Sequence, residues 1–431
     1  MDILQLFYEN DSRLLEQRGE TGRGNAIEWG NLTMSAAVLS HRSDIVWWLH
    51  RHVPDSNYDL DTALRSALIM GDIVMAEWLA SHGAHWPEHA DYTVRTVVAR
   101  GRLDVLQWLV EQGRLDRIIA LVSIAAQRGH LEIVRWIVEW TLPNHTAVEH
   151  GILVLAVATL SIHTAATHGH LQVAKYLRET ASRSVCGGYT AHFTGQEIES
   201  LRGVIVEASP EAQRVSGRTM ILAAKKGFLN VIQWLYAEYG DDLETESFNV
   251  GPERLPVDTV AMDTAASYGH LDVLKYFHEL QTSGETRLQC TKNAMDRTAE
   301  NGNLSVVQYL YENRREGCTT AAMDKAAACG HFEVVKWLHQ HRTEGCTQAA
   351  MDEAALPKRI EVVQWLHENR AEGCSTRAMD NAAMTGHLDM VKWLHLNRSE
   401  GCTQNAMDEA AICMLSNGYM SIDRKVALSE P

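Results

Sequence analysis

Cysteine is the residue in this sequence whose spacing most clearly suggests chemistry. Five of the eight cysteines recur every 28 residues, at Cys290, Cys318, Cys346, Cys374 and Cys402. Such a row of thiols could form disulfides or bind a metal. Equivalent residues on neighbouring packed helices, however, lie about 8–10 Å apart, whereas a disulfide needs Cα atoms within about 7 Å of each other. No C-x-x-C pair, typical of zinc sites, is present. We therefore expect small buried cysteines, with no metal site and no cofactor.

Histidine also recurs, each time directly after a glycine, at His130, His170, His270, His331 and His387. A metal site or a general base requires its partners to cluster in one place. These histidines are spread along the chain, so we expect turn residues that hydrogen bond to nearby backbone. His339 and His341 are better candidates for exposed ligands, but they lack a third ligand.

Aspartate and methionine also recur, and each aspartate directly follows a methionine. The aspartates are expected in the first turns of helices, where negative charge complements the helix dipole, so they should stabilise rather than catalyse. The methionines are expected in the core. The members of the two rows are Asp296, Asp324, Asp352, Asp380 and Asp408, and Met295, Met323, Met351, Met379 and Met407.

Eleven aromatic residues mark the copies of a recurring G-H-L-x-V-V-x-W-L phrase. A row of rings could stack on nucleic acid bases, but that function also needs a basic groove, and the chain has a formal net charge of −16. We therefore expect the rings to pack in a core. The row is Trp48, Trp78, Trp108, Trp136, Tyr176, Trp234, Tyr276, Tyr309, Trp337, Trp365 and Trp393.

Each copy predicts two helices. "AMDKAAAC" (Ala322–Cys329) is rich in alanine, which favours a helix, and Gly330 allows a tight turn. "FEVVKWLHQHR" (Phe332–Arg342) has a wide apolar stripe at helical spacing. One such pair of helices cannot bury its apolar face alone, so the repetition predicts a solenoid of stacked pairs.

The phrase "AACGHFEVVKWL" (Ala327–Leu338) and its copies resemble the ankyrin repeat. The resemblance implies an all-α, ankyrin-type helix-turn-helix solenoid of about 11–12 repeats that binds protein. Two features depart from the family: Asp324 stands where the family has histidine, and most units have 28–30 residues rather than about 33. The missing residues belong to the loop after the second helix. Whether β-hairpin fingers exist in the 28-residue units therefore stays open.

The spacing of the copies predicts the domain organisation. We expect an N-terminal capping segment at 1–30, one continuous repeat array at 31–412, and a degenerate repeat or tail at 413–431. Three junctions are long, which places insertions near 141–160, 180–217 and 239–258.

These insertions are the candidate binding site. Insertions in a solenoid map to one face, which is often the binding face. Aromatic residues would anchor a partner, and carboxylates would favour a basic partner segment. The candidate residues are Tyr189, Phe193, Tyr239, Asp241, Asp242, Glu244, Glu246 and Phe248. The alternative interpretation is that the insertions are merely tolerated surface loops.

The sequence favours a non-catalytic scaffold for protein–protein interaction over an enzyme. No phosphate-binding, zinc-protease, hydrolase or dinucleotide signature is present. The acidic chain disfavours nucleic acid and anionic lipid as partners. No apolar stretch is long enough to span a bilayer, and the N-terminus lacks the pattern of a secretory signal. We expect an intracellular monomer, cytoplasmic or nuclear, whose partner is another protein. Two alternatives are an adaptor that recruits substrates to an enzyme complex such as a ubiquitin ligase, and an enzyme with an unrecognised site in the central insertions.

Overall fold

In nine of the eleven copies the recurring phrase folds as a pair of helices joined at a glycine. The computed structural model describes residues 32–53, 59–85, 91–115, 118, 121–141, 161–186, 219–240, 260–356 and 359–404, together with residues 5, 9, 406 and 408. The described residues form 22 helices and no β-strand. They make eleven pairs, one for each predicted copy, which confirms the all-α repeat architecture.

The chain divides into two compact units, residues 1–208 and 209–431. Five helix pairs lie in the N-terminal unit. They are α1 (Thr33–Leu39) with α2 (Ser43–His52), α3 (Leu60–Met70) with α4 (Ile73–Ser81), α5 (Asp91–Ala99) with α6 (Leu103–Glu111), α7 (Val122–Arg128) with α8 (Leu131–Thr141), and α9 (161–167) with α10 (Leu171–Cys186).

Six helix pairs lie in the C-terminal unit. They are α11 (219–226) with α12 (Leu229–Tyr239), α13 (Ala261–Ser267) with α14 (Leu271–Thr282), α15 (Lys292–Glu300) with α16 (Leu304–Asn313), α17 (Ala321–Cys329) with α18 (Phe332–His341), α19 (Ala349–Ala354) with α20 (Ile360–Asn369), and α21 (Thr376–Met384) with α22 (Leu388–Asn397). The predicted single continuous array stays a prediction.

The glycine between the two helices of a pair ends the first helix in the left-handed conformation. Gly330 has φ = 78°, and its N–H and that of His331 donate to Ala327 O and Ala326 O. A residue with a Cβ adopts this conformation at a cost, which explains the glycine. α18 then starts at Phe332 and runs back along α17.

The core lies between the helices of each pair and between neighbouring pairs. In the pair α17–α18 the first helix buries Ala322, Met323 and Ala326, and the second buries Val335 and Leu338. Within each unit the first helices also pack against the first helices of the next pair, as α15 does on α17 and α17 on α19. The expected methionine core is confirmed at Met295, Met323, Met351 and Met379, while Met407 lies outside the described residues.

The connections between the 28-residue units are short turns. Residues 342–348, between α18 and α19, contain no strand, and neither do residues 370–375. Finger hairpins are therefore absent from these units. Gly345, which has φ = 74°, reverses the chain in the first of these turns.

The predicted insertions are described only at their borders. α10 continues to Cys186, so the first residues of the segment predicted as an insertion at 180–217 extend a helix. Beyond the eleventh pair, Thr403 N donates to Asp380 Oδ1 over 2.8 Å, and Ala406 is buried. The residues after the eleventh pair are therefore joined to it as a further first helix would be, and the segment 413–431 lies outside the described residues.

Candidate interaction surface

The predicted loop site is visible only at one border. Tyr239, the last residue of α12, is half-buried, and its ring lies edge-on to Trp234 with centroids 6.0 Å apart. The other candidates lie outside the described residues, and their role stays a prediction. They are Tyr189, Phe193, Asp241, Asp242, Glu244, Glu246 and Phe248.

A buried ion pair fixes the point where the third insertion begins. Arg287 Nη1 donates to the carbonyl oxygen of Gly240 over 3.1 Å, and the Arg287 guanidinium also binds both oxygens of Glu285. Tyr236 donates its hydroxyl to Glu285 Oε2 over 3.0 Å. The hydrogen bonds from Arg287 lower the pKa of Glu285 to about 2. The carboxylate is therefore charged at neutral pH, and the ion pair holds Gly240, from which the insertion starts.

The aromatic row is not in the core, which corrects the expectation from sequence. Of the eleven rings only Trp48 is buried, at 8% exposure, and the other ten are half-buried. The positions that do fill the core are the apolar residues on either side of the ring, which at Trp337 are Val334, Val335 and Leu338. Helical periodicity places the ring at the border of the apolar stripe. The position is therefore occupied by large side chains that are only partly buried.

Each member of the aromatic row from Tyr309 onwards packs on a ring of the preceding pair. Trp365 lies edge-on to His339 with centroids 5.1 Å apart, and Trp393 lies edge-on to His367 at 5.3 Å. In both cases the partner stands two residues after the aromatic residue of its own pair. The pairs Tyr309–His278 and Trp337–Tyr311 repeat this geometry. The row therefore joins consecutive pairs along the surface.

The aspartate row also joins pairs, a role that the helix-dipole interpretation missed. Asp324 Oδ1 accepts the backbone N–H of Thr347 over 2.7 Å, and Asp324 Oδ2 accepts the Thr347 hydroxyl over 2.8 Å. The threonine hydroxyl in turn accepts from the N–H of Ala349, at the start of α19. Burial raises the pKa of Asp324, although the bonds from Thr347 act against this.

The same pair of bonds recurs at three further aspartates of the row and at Asp263 of the preceding pair. The partners are Asp263 with Thr291, Asp296 with Thr319, Asp352 with Ser375, and Asp380 with Thr403. The sequence signal for these bonds was present, because a threonine or serine follows each of the five periodic cysteines.

The cysteine row is structural, as expected, at its three inner members. Cys318, Cys346 and Cys374 are buried free thiols, whereas Cys290 is half-buried and Cys402 is exposed. Burial raises the pKa of both Cys318 and Cys346 to about 11. These thiols are therefore protonated at neutral pH and poor nucleophiles.

Three of the five histidines that follow inter-helix glycines bond to backbone, but in the preceding pair. Nε2 of His130 lies 3.0 Å from Ala99 O, and Nε2 of His270 lies 2.9 Å from Lys225 O. His170 makes the same contact with Gln127 O. His341 stacks on Trp337 within its own helix. No group of three potential metal ligands occurs among the residues that the structure describes.

The short turns of the C-terminal unit contain a repeated arginine–glutamate pair. Arg370 binds Glu372 in the same turn, and its Nη1 lies 3.5 Å from Nδ1 of His339 in the preceding pair. A Cβ at Gly345 would overlap with the Arg370 guanidinium, so the glycine also makes room for this arginine. The equivalent ion pairs are Arg314–Glu316, Arg342–Glu344 and Arg398–Glu400.

The family comparison agrees with this geometry. The family model described as ankyrin repeats (many copies) matches residues 294–339 and 347–395, which cover the four helix pairs α15 to α22. The chain carries ankyrin repeats. No curated protein matches the chain. No described helix is both long and apolar enough to cross a membrane.

Proposed function

We propose that the protein is a non-catalytic scaffold that binds another protein through the loops in the middle of the chain. The observation that carries this proposal is that the recurrent polar rows are occupied in joining helix pairs. Asp324 and its equivalents bind threonine or serine, and the turn arginines bind glutamate. The inner thiols have raised pKa values. Ankyrin repeats are, moreover, generally non-catalytic modules for protein interaction.

The proposed recognition site includes the loop that begins at Tyr239. The Arg287–Glu285 ion pair described above supports this proposal, because Arg287 holds Gly240 where the loop leaves α12. Tyr239 and Phe248 in this loop, and Tyr189 and Phe193 in the preceding insertion, provide aromatic residues of the kind that dominate interface energies. The four carboxylates of Asp241, Asp242, Glu244 and Glu246 favour a basic partner segment.

Crosslinking with mass spectrometry in the native cell extract tests the site. The loop variant replaces the four carboxylates with amides, as D241N/D242N/E244Q/E246Q. We expect one reproducible partner to crosslink to residues 180–258 of the wild type. Recovery of that partner should fall about tenfold with the loop variant, because electrostatic complementarity is lost.

A matched control variant separates the loop charges from net charge. E279Q/E312Q/E361Q/E368Q neutralises four exposed carboxylates on second helices of the C-terminal unit. Its recovery of the partner should equal that of the wild type. If the loop variant recovers as much partner as the wild type and keeps its urea midpoint, the loop carboxylates are not part of the binding site.

A further inference from the structure

Two exposed positions of the second helices hold an apolar residue in only one copy each. The residue directly before the member of the aromatic row is Trp47 in the first copy and is polar or charged in the ten others. The residue four positions before that member is Val74 in the second copy and is likewise polar or charged in the ten others. Trp47 is 51% exposed and Val74 is 76% exposed. The first two copies therefore depart from the hydrophilic surface that the other copies keep at these positions.

These two residues and Trp78 form one surface, here called the apolar strip. The Trp47 and Trp78 rings stack with centroids 6.2 Å apart. Val74 stands four residues before Trp78, so the two lie on the same side of α4. In the next copy the residue equivalent to Trp47 is Glu77, which accepts a hydrogen bond from Nε1 of Trp108. Trp47 thus replaces a polar contact between pairs with an exposed indole.

A basic residue follows the strip on α2, and an acidic residue follows it on α4. Arg51 is exposed and stands four residues after Trp47. Glu77 is exposed and stands three residues after Val74. The hydrogen bond that Glu77 accepts comes from a neutral indole, so this bond leaves its negative charge in place. Each helix therefore carries an apolar residue and then a charge about one turn later, and the two charges have opposite signs.

This order makes the strip complementary to a second copy of itself. Helix α4 of a second copy can cross α2 in the same direction with Val74 on Trp47. Its Glu77 then lies beside Arg51, because both charges follow the apolar residue by about one turn. A two-fold axis repeats the same two contacts with the roles of the copies exchanged. The bulky Trp47 meets the smaller Val74 each time, so the contact is complementary in both size and charge.

The surroundings of the strip favour a second copy over a strongly charged partner. Arg42 and Asp44, at the start of α2, form an ion pair with each other. Arg51 and Glu77 add one charge of each sign. An apolar centre with a polar rim is typical of contacts between proteins, and two-fold dimers are the commonest form of self-association. The three side chains expose less than the about 800 Å² per partner that standard interfaces bury, so we expect weak association in the micromolar range.

We propose that the apolar strip joins two copies of this protein in a two-fold dimer. The proposal goes beyond the loop site and does not depend on it. It differs from the monomer expected from the sequence, because Trp47 and Val74 become one surface only when α2 and α4 pack side by side. A dimer would carry two loop sites, so it would hold a partner with two basic segments more tightly than a monomer would.

Sedimentation equilibrium of the full-length protein tests this proposal. Between about 2 and about 200 µM the average mass should rise from that of one chain towards that of two, as expected for a small interface. The variant W47Q/V74D gives both positions the residues of the third copy, Gln107 and Asp104. It should raise the dissociation constant of the dimer at least about tenfold, because the central aromatic anchor and the residue that it contacts are lost.

The control variant L396E removes an exposed apolar side chain from a different second helix, α22. Leu396 is 81% exposed, and the equivalent residue of the preceding copy is Glu368. L396E should keep the dissociation constant within about twofold of the wild type, as expected for a residue outside the contact.

An exchange of charges tests the arrangement of the two copies. R51E and E77R each bring two like charges together, so each should raise the dissociation constant about three- to tenfold. R51E/E77R in one chain should restore the wild-type value, because every contact then joins opposite charges again. Other copies carry these residues at the same positions, in Glu111 and Arg135, so the fold accepts them.

Three results would overturn the proposal. One is the mass of a single chain at every concentration, and a crosslinked protein that such a monomer loses with W47Q/V74D would then be the true occupant of the strip. Another is an equal loss with L396E and W47Q/V74D, which would place the contact elsewhere. The third is weakening by both single charge reversals without recovery in R51E/E77R.

Two further measurements separate this proposal from folding defects and from the loop site. All substituted side chains are exposed, so equal urea midpoints should show that the variants fold. W47Q/V74D should still crosslink to the loop partner through residues 180–258, so a failed strip and a failed loop site give different results.

Discussion

The two units of the molecule join their helix pairs in different ways. In the C-terminal unit one residue position, from Asp263 onwards, is always an aspartate, and it always binds a hydroxyl residue of the next pair. In the N-terminal unit that position holds Ser35, Arg65, Arg95, Ser123 and His163. Arg65 and Arg95 are exposed there, whereas His163 is buried. The same helix pair therefore tolerates either one repeated residue or several different residues at this position.

The largest expected difference in unfolding free energy is between substitutions in the aspartate row and at the equivalent position of the N-terminal unit. Asp324→Ala should cost about 4 kcal/mol of unfolding free energy, because two bonds to a carboxylate are lost and the Thr347 N–H is left without its acceptor. Arg65→Ala, at the same position on an exposed side chain, should change stability by less than about 0.5 kcal/mol. Urea unfolding measures both.

A double-mutant cycle with Thr347→Val assigns the cost to this joint. The two substitutions should be strongly non-additive, since each breaks the same hydroxyl bond. Additive effects would mean that Asp324 acts within its own helix, as the dipole argument first suggested.

Protonation of His163 should destabilise the N-terminal unit alone. Burial lowers the pKa of His163 to about 4, whereas an unfolded histidine titrates near 6.5. Between these values the unfolded state binds the extra proton, so stability is complete above pH 6.5 and falls as pH drops towards 4. The loss should approach roughly 3 kcal/mol. Hydrogen exchange of residues 161–181, corrected for the intrinsic rate, measures it.

His163→Gln is the control for this titration. Glutamine cannot take up the proton, so the pH dependence in residues 161–181 should vanish even if the baseline stability drops. A slope that persists in the variant would assign the effect to another group.

The aromatic row should contribute less than the core beside it. Trp365→Ala should cost about 2 kcal/mol, because the ring is only half-buried, whereas full burial of such a ring is worth about 3–5 kcal/mol. Leu366→Ala, at a side chain with 1% exposure, should cost as much or more. Urea unfolding measures both. A clearly larger loss of unfolding free energy for Trp365→Ala than for Leu366→Ala would show that the ring is part of the core.

The smallest expected difference in stability is between substitutions of two glycines that have positive φ, Gly113 and Gly345. Gly113→Ala places a Cβ in open space, so its cost should be the backbone term of about 1 kcal/mol. Gly345→Ala adds a clash with the Arg370 guanidinium and should cost about 1 kcal/mol more. Equal thermal midpoints for the two variants would show that Arg370 moves aside freely.

The sequence predicted the helix pairs better than the contacts between them. Periodicity located the core at Val335 and Leu338 because burial along a helix follows its 3.6-residue repeat. It could not place Trp365, because a residue at the border of an apolar stripe looks the same whether its ring turns inward or outward. The bond from Asp324 to Thr347 joins residues 23 positions apart, and only packing of the two pairs brings them together. The candidate loop residues beyond Tyr239 remain predictions.

The aspartate–threonine bonds bear on how such a chain can change in length. Each joint needs only an aspartate in one unit and a hydroxyl residue at the start of the next, and both recur in a 28-residue register. A tandem duplication of any 28-residue stretch between 319 and 402 would therefore create a new unit with both of its joints already complete. The C-terminal half can therefore lengthen or shorten in single genetic steps that keep these joints intact.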